Sequence, residues 1–290
     1  MWLVLAFLSA GFAGITAILA KIGIRNVNSN LATALRTIVV LLFSWLMVFI
    51  VGSASGIKEI SAKTFLFLIL SGLATGASWL CYFRALQLGD VNKVAPIDKS
   101  STVLTMILAI IFLGEKLTVV KIIGMILIGT GTFLMIEKKK TDNSSADKKN
   151  GASLIYALLS AVFAALTSIF GKVGIEGVES NLGTAIRTVV VLLMAWILVF
   201  AEKKQGEIKD IDKKSWLFLV LSGFTTGGSW LCYYGALKEG PASIIAPIDK
   251  LSIVVTVAFS YIILKEKLSK KAFLGLVLIV AGTLSLLIKY

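Results

Sequence analysis

The chain has 290 residues, of which 57% are apolar, and its mean hydropathy is +0.92. These values are too high for an ordinary soluble domain and indicate an integral membrane protein. The net charge of +13 falls mainly on Lys residues between apolar runs. That pattern is typical of loops facing lipid head groups and argues against a basic nucleic-acid-binding face. The chain has no His, which excludes His metal ligands and His proton relays.

Ten apolar runs follow one another along the chain, each of roughly 17–24 residues, which is enough to cross a bilayer as a helix. Five lie in the first half, at 2–24, 31–51, 65–88, 94–113 and 118–136, and five in the second, at 153–175, 182–201, 216–237, 243–264 and 272–288. Helices are favoured over a barrel because the runs are long and do not alternate. We predict one five-helix unit over 1–136, a mobile polar linker over 137–151 and a second five-helix unit over 152–290.

The second unit repeats the first at an offset of 151 residues. Ser71–Leu86 returns as Ser222–Leu237, and Ala95–Lys99 (APIDK) returns as Ala246–Lys250. After five crossings the chain emerges on the opposite face, so the second unit enters the membrane upside down. The sequence therefore predicts an all-α polytopic membrane protein, with ten transmembrane helices in two inverted five-helix repeats.

Ionisable residues lie near the helix ends on one face of each unit. They are Lys21, Arg36, Asp98 and Lys99 in the first unit, and Lys172, Arg187, Asp249 and Lys250 in the second. Charges in hydrocarbon usually face protein or water, so we predict two charged mouths that gate or receive a substrate. Arg36 is expected beside Asp98, and Arg187 beside Asp249, because a lone buried charge is costly. The excess of positive groups favours an anionic group on the ligand.

A structural role for the same residues is the alternative. Pro96 and Pro247 suit the first turn of a helix, where the missing N–H costs nothing. The Asp two residues later would then lie in a first turn, where the helix dipole favours it. In that case the nearby cations only neutralise helix ends.

Hydroxyl and aromatic residues mark the third helix of each unit. Along one face run Ser71, Thr75, Ser78 and Tyr82, and their repeat partners Ser222, Thr226, Ser229 and Tyr233. Trp79 and Trp230 fall near mid-helix rather than in the interfacial belt. These residues either line a central cavity or pack helices together, with hydroxyls bonding their own backbone. Glycines at 124, 131, 275 and 282 indicate close helix packing.

Taken together, these features resemble the drug/metabolite transporter superfamily, specifically its EamA type. The resemblance covers both units and rests on the duplicated five-helix pattern, Arg36 and Arg187 early in the second helices, Pro96 and Pro247, and the Glu-Lys-Leu turn after helix 4. It implies a ten-helix secondary transporter with a central cavity, exporting or exchanging small metabolites, amino acids or drugs by alternating access. It further implies a multi-pass protein of the plasma membrane.

Other function classes lack their signatures in this sequence. No nucleophile–base pair or metal cluster is recognisable, so we predict a protein that is not an enzyme and has no cofactor. We expect the lipid bilayer and a small-molecule substrate as partners, and both repeats in one chain are compatible with a monomer. Helices 1 and 6 carry no acidic residue, which disfavours proton-coupled export of cationic drugs unless Asp98 or Asp249 supplies the carboxylate. A non-transport membrane subunit, such as a lipid-carrier translocator accessory, is the alternative function.

Two lines of reasoning disagree on orientation. Lys and Arg are more numerous in the loops on the linker's face, which places the linker in the cytoplasm and both termini outside. The family resemblance implies cytoplasmic termini.

Overall fold

The computed structural model describes residues 1–23, 27–88, 97, 100–135, 147–263 and 269–288, and within these ranges the regular structure is helical. The first half contains α1 Trp2–Gly23, α2 Ser29–Val51, α3 Ala62–Leu88, α4 Ser101–Phe112 and α5 Val119–Leu134. The second half contains α6 Asp147–Gly174, α7 Ser180–Ala201, α8 Lys213–Glu239, α9 Ala242–Lys250, α10 Ser252–Ile263 and α11 Lys270–Ser285. Short 3₁₀ helices, Ser53–Glu59 and Gln205–Asp210, follow α2 and α7.

Five of the described helices, α1, α2, α3, α6 and α7, are long and apolar enough to cross a membrane. The helices α4 and α5 are apolar but shorter. Large apolar side chains project from the bundle surface, as Phe49 and Leu193 do, and lipid is the environment that such a surface requires. The protein is therefore a multi-pass membrane protein in contact with the bilayer.

Polar caps make several helices begin before the apolar runs from which they were predicted. Asn28 accepts hydrogen bonds from the backbone N–H groups of Asn30 and Leu31 and so starts α2 at Ser29. Asp212 starts α8 by accepting from the backbone N–H of Ser215 at 2.9 Å and from its hydroxyl at 2.8 Å. These bonds hold the pKa of Asp212 below its usual value. The helix α6 also begins earlier than predicted, at Asp147, inside the stretch predicted to be a mobile linker.

The predicted ninth helix is in fact two helices, and Pro247 does not open either of them. α9 begins at Ala242, directly after Pro241, so Pro247 lies in its interior. Pro247 has no N–H to donate to the preceding turn, which weakens the helix there. A tight turn follows, in which the N–H of Leu251 donates to the carbonyl of Ile248 at 2.9 Å. Asp249 therefore lies at the end of α9 and not in a first turn; the equivalent Pro96 lies outside the described residues.

The main contacts join helices of one half to helices of the other. α1 packs against α8, α3 against α6, α2 against α7, and α5 against α11. The last pair runs antiparallel, because Gly124 approaches Gly282 while Gly131 approaches Gly275. The approach is close: a β-carbon placed on Gly131 would lie 2.6 Å from the Gly275 carbonyl oxygen. These four glycines thus serve the helix packing that their spacing indicates.

Candidate substrate cavity

A cavity of about 310 Å³ lies where α1 and α3 of the first half meet α6, α7, α8 and α9 of the second. Most of its lining is polar or aromatic, in contrast to the apolar outer surface of the bundle. The lining residues are Ala13, Thr75, Ser78, Trp79, Ala164, Thr167, Ser168, Arg187, Ser229, Trp230, Tyr233, Tyr234, Asp249 and Lys250.

Arg187 is the most deeply buried charge of the cavity, with only 1% of its surface exposed. Its Nε donates to the hydroxyl of Ser71 at 3.2 Å and its Nη2 to the hydroxyl of Thr75 at 2.8 Å. Those hydroxyls can accept because their own protons go elsewhere, to the carbonyls of Thr167 and Ser71 respectively. α3 of the first half therefore fixes the position of an arginine that belongs to the second half.

Two aromatic rings enclose the Arg187 guanidinium. Its central carbon lies 4.9 Å from the ring centroid of Trp230 and 4.4 Å from that of Tyr234. At these distances the ring faces attract the cation and partly replace the water that it has lost. The Tyr233 hydroxyl, in turn, bonds with Ser168 at 2.8 Å. The aromatic residues thus orient the cation and form a wall of the cavity.

The predicted ion pair between Arg187 and Asp249 is absent from the described part of the chain. Asp249 instead accepts a 2.6 Å hydrogen bond from Ser9 of α1, and Ser9 also contacts Ser229. The Nη1 of Arg187 is buried and has no hydrogen-bond partner among the described residues. Arg187, a lining residue of the cavity, therefore keeps one buried donor that no described residue satisfies.

Asp249 and Lys250 reach this cavity because α9 stops inside the bundle. The sequence placed them at a mouth of the protein, in a first helical turn. The break at Leu251 instead ends α9 beside α1 and α8, and both side chains line the cavity.

The other residues predicted to form the site are distributed around the bundle. Arg36 donates to Thr226 at 2.8 Å, which mirrors the bond between Arg187 and Thr75. Lys172 donates to the carbonyls of Leu237 and Gly240, and so caps the C-terminal end of α8 away from the cavity. Tyr82 packs beside Ala85 and Ala157. The Lys21 side chain, Asp98 and Lys99 lie outside the described residues.

Sequence reasoning missed several residues of the lining, above all Thr167, Ser168 and Tyr234. Thr167 and Ser168 are adjacent hydroxyls inside the otherwise apolar stretch 161–171 of α6, and that contrast is a signal that could have identified them. Tyr234 follows Tyr233 and so points away from the face on which the hydroxyls of α8 recur. Its role depends on Arg187 of a neighbouring helix, which no pattern within α8 reveals.

Comparison with known proteins identifies sequence relatives and a structure with the same fold. An uncharacterized transporter of Sinorhizobium sp., named for the cobO 3' region, is 48% identical over 134 residues, which are 46% of this chain and 95% of that relative. The uncharacterized transporter YxxF of Bacillus subtilis strain 168 is 25% identical over 221 residues, covering 74% of this chain and 68% of the relative. One crystal structure matches with a TM-score of 0.74 and 16% identity, over 98% of this chain and 95% of that one, which shows a shared fold.

The profile of the EamA-like transporter family matches residues 1–137 and 151–288, once for each half. The chain therefore belongs to the EamA-like transporter family.

Proposed function

We propose that the protein is a secondary transporter that exports or exchanges small metabolites by alternating access, with the central cavity as its substrate site. The observation that carries this proposal is the polar cavity itself, which lies inside a bundle of apolar helices and is lined by both halves. Ligand sites of secondary transporters lie at the interface of structural repeats, often beside interrupted helices. The break between α9 and α10 supplies such an interruption.

The proposal includes ten crossings in two inverted repeats. Its support is the antiparallel course of equivalent helices. At one end of the α2–α7 pair, the side-chain amide of Asn30 donates to Glu202 at 2.6 Å. Asn30 begins α2 while Glu202 follows α7, so the two helices run in opposite directions. We place the protein in the plasma membrane, and the single chain supplies both halves of the cavity.

One end of the bundle carries contacts that alternating access would have to break. Glu115, in the turn after α4, accepts hydrogen bonds from the backbone and hydroxyl of Ser243 at the start of α9. Lys121 donates to the same carboxylate at 3.0 Å, and both charged side chains are nearly buried. These hydrogen bonds join the two halves at the face where α8 ends and α9 begins.

The alternative is a membrane subunit without transport activity, such as a lipid-carrier translocator accessory. Such a bundle needs no unfilled polar space at its centre, and side chains would be expected to fill it. The cavity therefore favours transport.

Counterflow in proteoliposomes tests the proposal, using metabolite pools chosen by comparing cells with and without the protein. Ala164→Trp places an indole in the cavity, and Leu158→Trp places the same group on the lipid-facing side of the same helix. We expect Ala164→Trp to abolish counterflow and Leu158→Trp to retain it. Equal activity of the two variants would contradict the assignment of the cavity.

A further inference from the structure

The charges of the described residues that line the central cavity do not balance. Arg187 and Lys250 are cationic and Asp249 is anionic, which leaves one net positive charge on this part of the lining. None of the three forms an ion pair within the described residues. An isolated charge in a membrane protein is costly unless a partner neutralises it. One negative charge on a ligand would complete the balance.

The chemistry of Arg187 specifies what that negative charge should be. Its guanidinium is held by Ser71 and Thr75, so binding does not have to order a flexible side chain. Its Nη1 is the buried donor without a partner among the described residues. Planar guanidinium groups match carboxylate oxygens well, and the hydrogen bonds are strengthened by charge.

A second chamber adjoins the first and has a different character. It measures about 420 Å³ and lies between α1, α4, α5, α10 and α11. Its lining is mostly apolar, with Ile128, Met135 and Ile279 among the residues that form it. Ala13 and Lys250 line both chambers, so the two chambers are neighbours on either side of these residues.

We propose that the two chambers form one binding site for a small organic monoanion. Its carboxylate binds in the polar chamber, where Arg187 and Lys250 supply the positive charge. Its apolar body passes Ala13 and occupies the second chamber. This inference rests on the proposed transport function and adds to it the chemical class of the substrate.

Calorimetric titration of the purified protein in detergent tests the charge requirement with matched probes. 3-Phenylpropionate and 3-phenylpropanamide have nearly the same shape, but only the first carries a negative charge. We expect the carboxylate to bind at least about tenfold more tightly than the amide, as charge-assisted hydrogen bonds imply. Equal affinities, or no binding of the carboxylate, would overturn the proposal.

Two substitutions should move the affinity for 3-phenylpropionate in opposite directions. Lys250→Gln removes a positive charge and should weaken binding about tenfold, whereas Asp249→Asn removes the negative charge and should strengthen it. Lys250→Arg keeps the charge and should restore binding, which separates a charge effect from misfolding. Shifts in the same direction for Lys250→Gln and Asp249→Asn would contradict the charge balance.

The second chamber is tested by filling it. Thr132→Phe should weaken 3-phenylpropionate severalfold and leave the shorter probe acetate unchanged, because only the longer probe enters the chamber. Ile126→Phe, on the lipid-exposed side of the same helix, is the control and should change neither. Equal effects of Thr132→Phe on both probes would remove the second chamber from the site.

The substrate class and the transport function can fail separately. Counterflow of neutral or cationic solutes, with no carboxylate binding, would overturn the substrate class and leave the transport function standing.

Discussion

Thr226 accepts a 2.8 Å hydrogen bond from Arg36, although the two residues lie 190 positions apart and in different halves of the chain. The equivalent bond from Arg187 to Thr75 has the same length. In each unit, an arginine of the second helix therefore donates a hydrogen bond to the third helix of the other unit. These arginines, each two turns into the second helix of its unit, hold the two halves together and place positive charge in the interior.

Removing the acceptor hydroxyl should destabilise the protein. Thr75→Val keeps the shape of the side chain but leaves Arg187 with a further unpaired donor, at an expected cost of about 1.5–3 kcal/mol in the free energy of unfolding. Thr75→Ser retains the hydroxyl and should cost less. Reversible unfolding in mixed micelles measures the difference, and equal stability of the two variants would contradict the role given to the bond.

Adding a methyl group between α5 and α11 should separate these helices. In Gly131→Ala the new β-carbon meets the Gly275 backbone at 2.6 Å, so we expect a loss of about 1–3 kcal/mol in the free energy of unfolding. Gly129→Ala is the matched control on α5, because its β-carbon would meet only Val103, at 3.7 Å. That variant should be neutral or slightly stabilising in the same unfolding experiment. The reverse order of stabilities would show that α5 and α11 do not pack as described.

Lys172 should affect stability and not substrate recognition. It donates to carbonyls at the end of α8, where a cation also compensates the helix dipole. We expect Lys172→Met to cost about 1 kcal/mol in the free energy of unfolding and to leave carboxylate affinity unchanged. Lys238→Met, at an exposed position of the same turn, serves as the control. A large loss of affinity in Lys172→Met would return this residue to the substrate pathway, where the sequence had placed it.

The proposed inversion predicts that the loops after α2 and α7 lie on opposite faces of the membrane. Cysteines introduced at the exposed positions Ser55 and Lys209, after Cys81 and Cys232 have been replaced by Ala, report on this directly. A membrane-impermeant thiol reagent added to intact cells should label one of them and not the other. Labelling at position 55 would support the orientation derived from the lysine distribution, and labelling at position 209 the one implied by the family. Labelling of both would contradict the inversion.

Patterns within one half predicted the helices and much of the cavity wall. Tyr233 was singled out because hydroxyl residues recur on one face of α8, and Trp79 and Trp230 because they fall near mid-helix rather than in the interfacial belt. Arg187 and Asp249 were expected to pair because each half was treated as packing mainly on itself. In the structure the helices of one half pack mainly against those of the other. The partners of Arg187 are therefore Ser71 and Thr75 of the first half, and no residue spacing within the second half indicates them. The broken helix was missed for a related reason: a run of apolar residues does not show where the hydrogen-bond ladder stops.

The interlocked duplication has an energetic consequence. Under the proposed alternating access, two identical inverted units would make the inward-open and outward-open states equivalent by symmetry, and therefore equal in free energy. Position 84 holds an exposed Arg, whereas its equivalent, Gly235, is buried with Leu5 close by. In a pair of identical single-unit chains, any substitution would be present in both copies. The two open states would then stay equal in free energy. When both units are in one chain, a substitution can change one unit alone and so lower the free energy of one open state. Under the proposed inversion, single mutations can therefore set which face the cavity opens to in the absence of substrate.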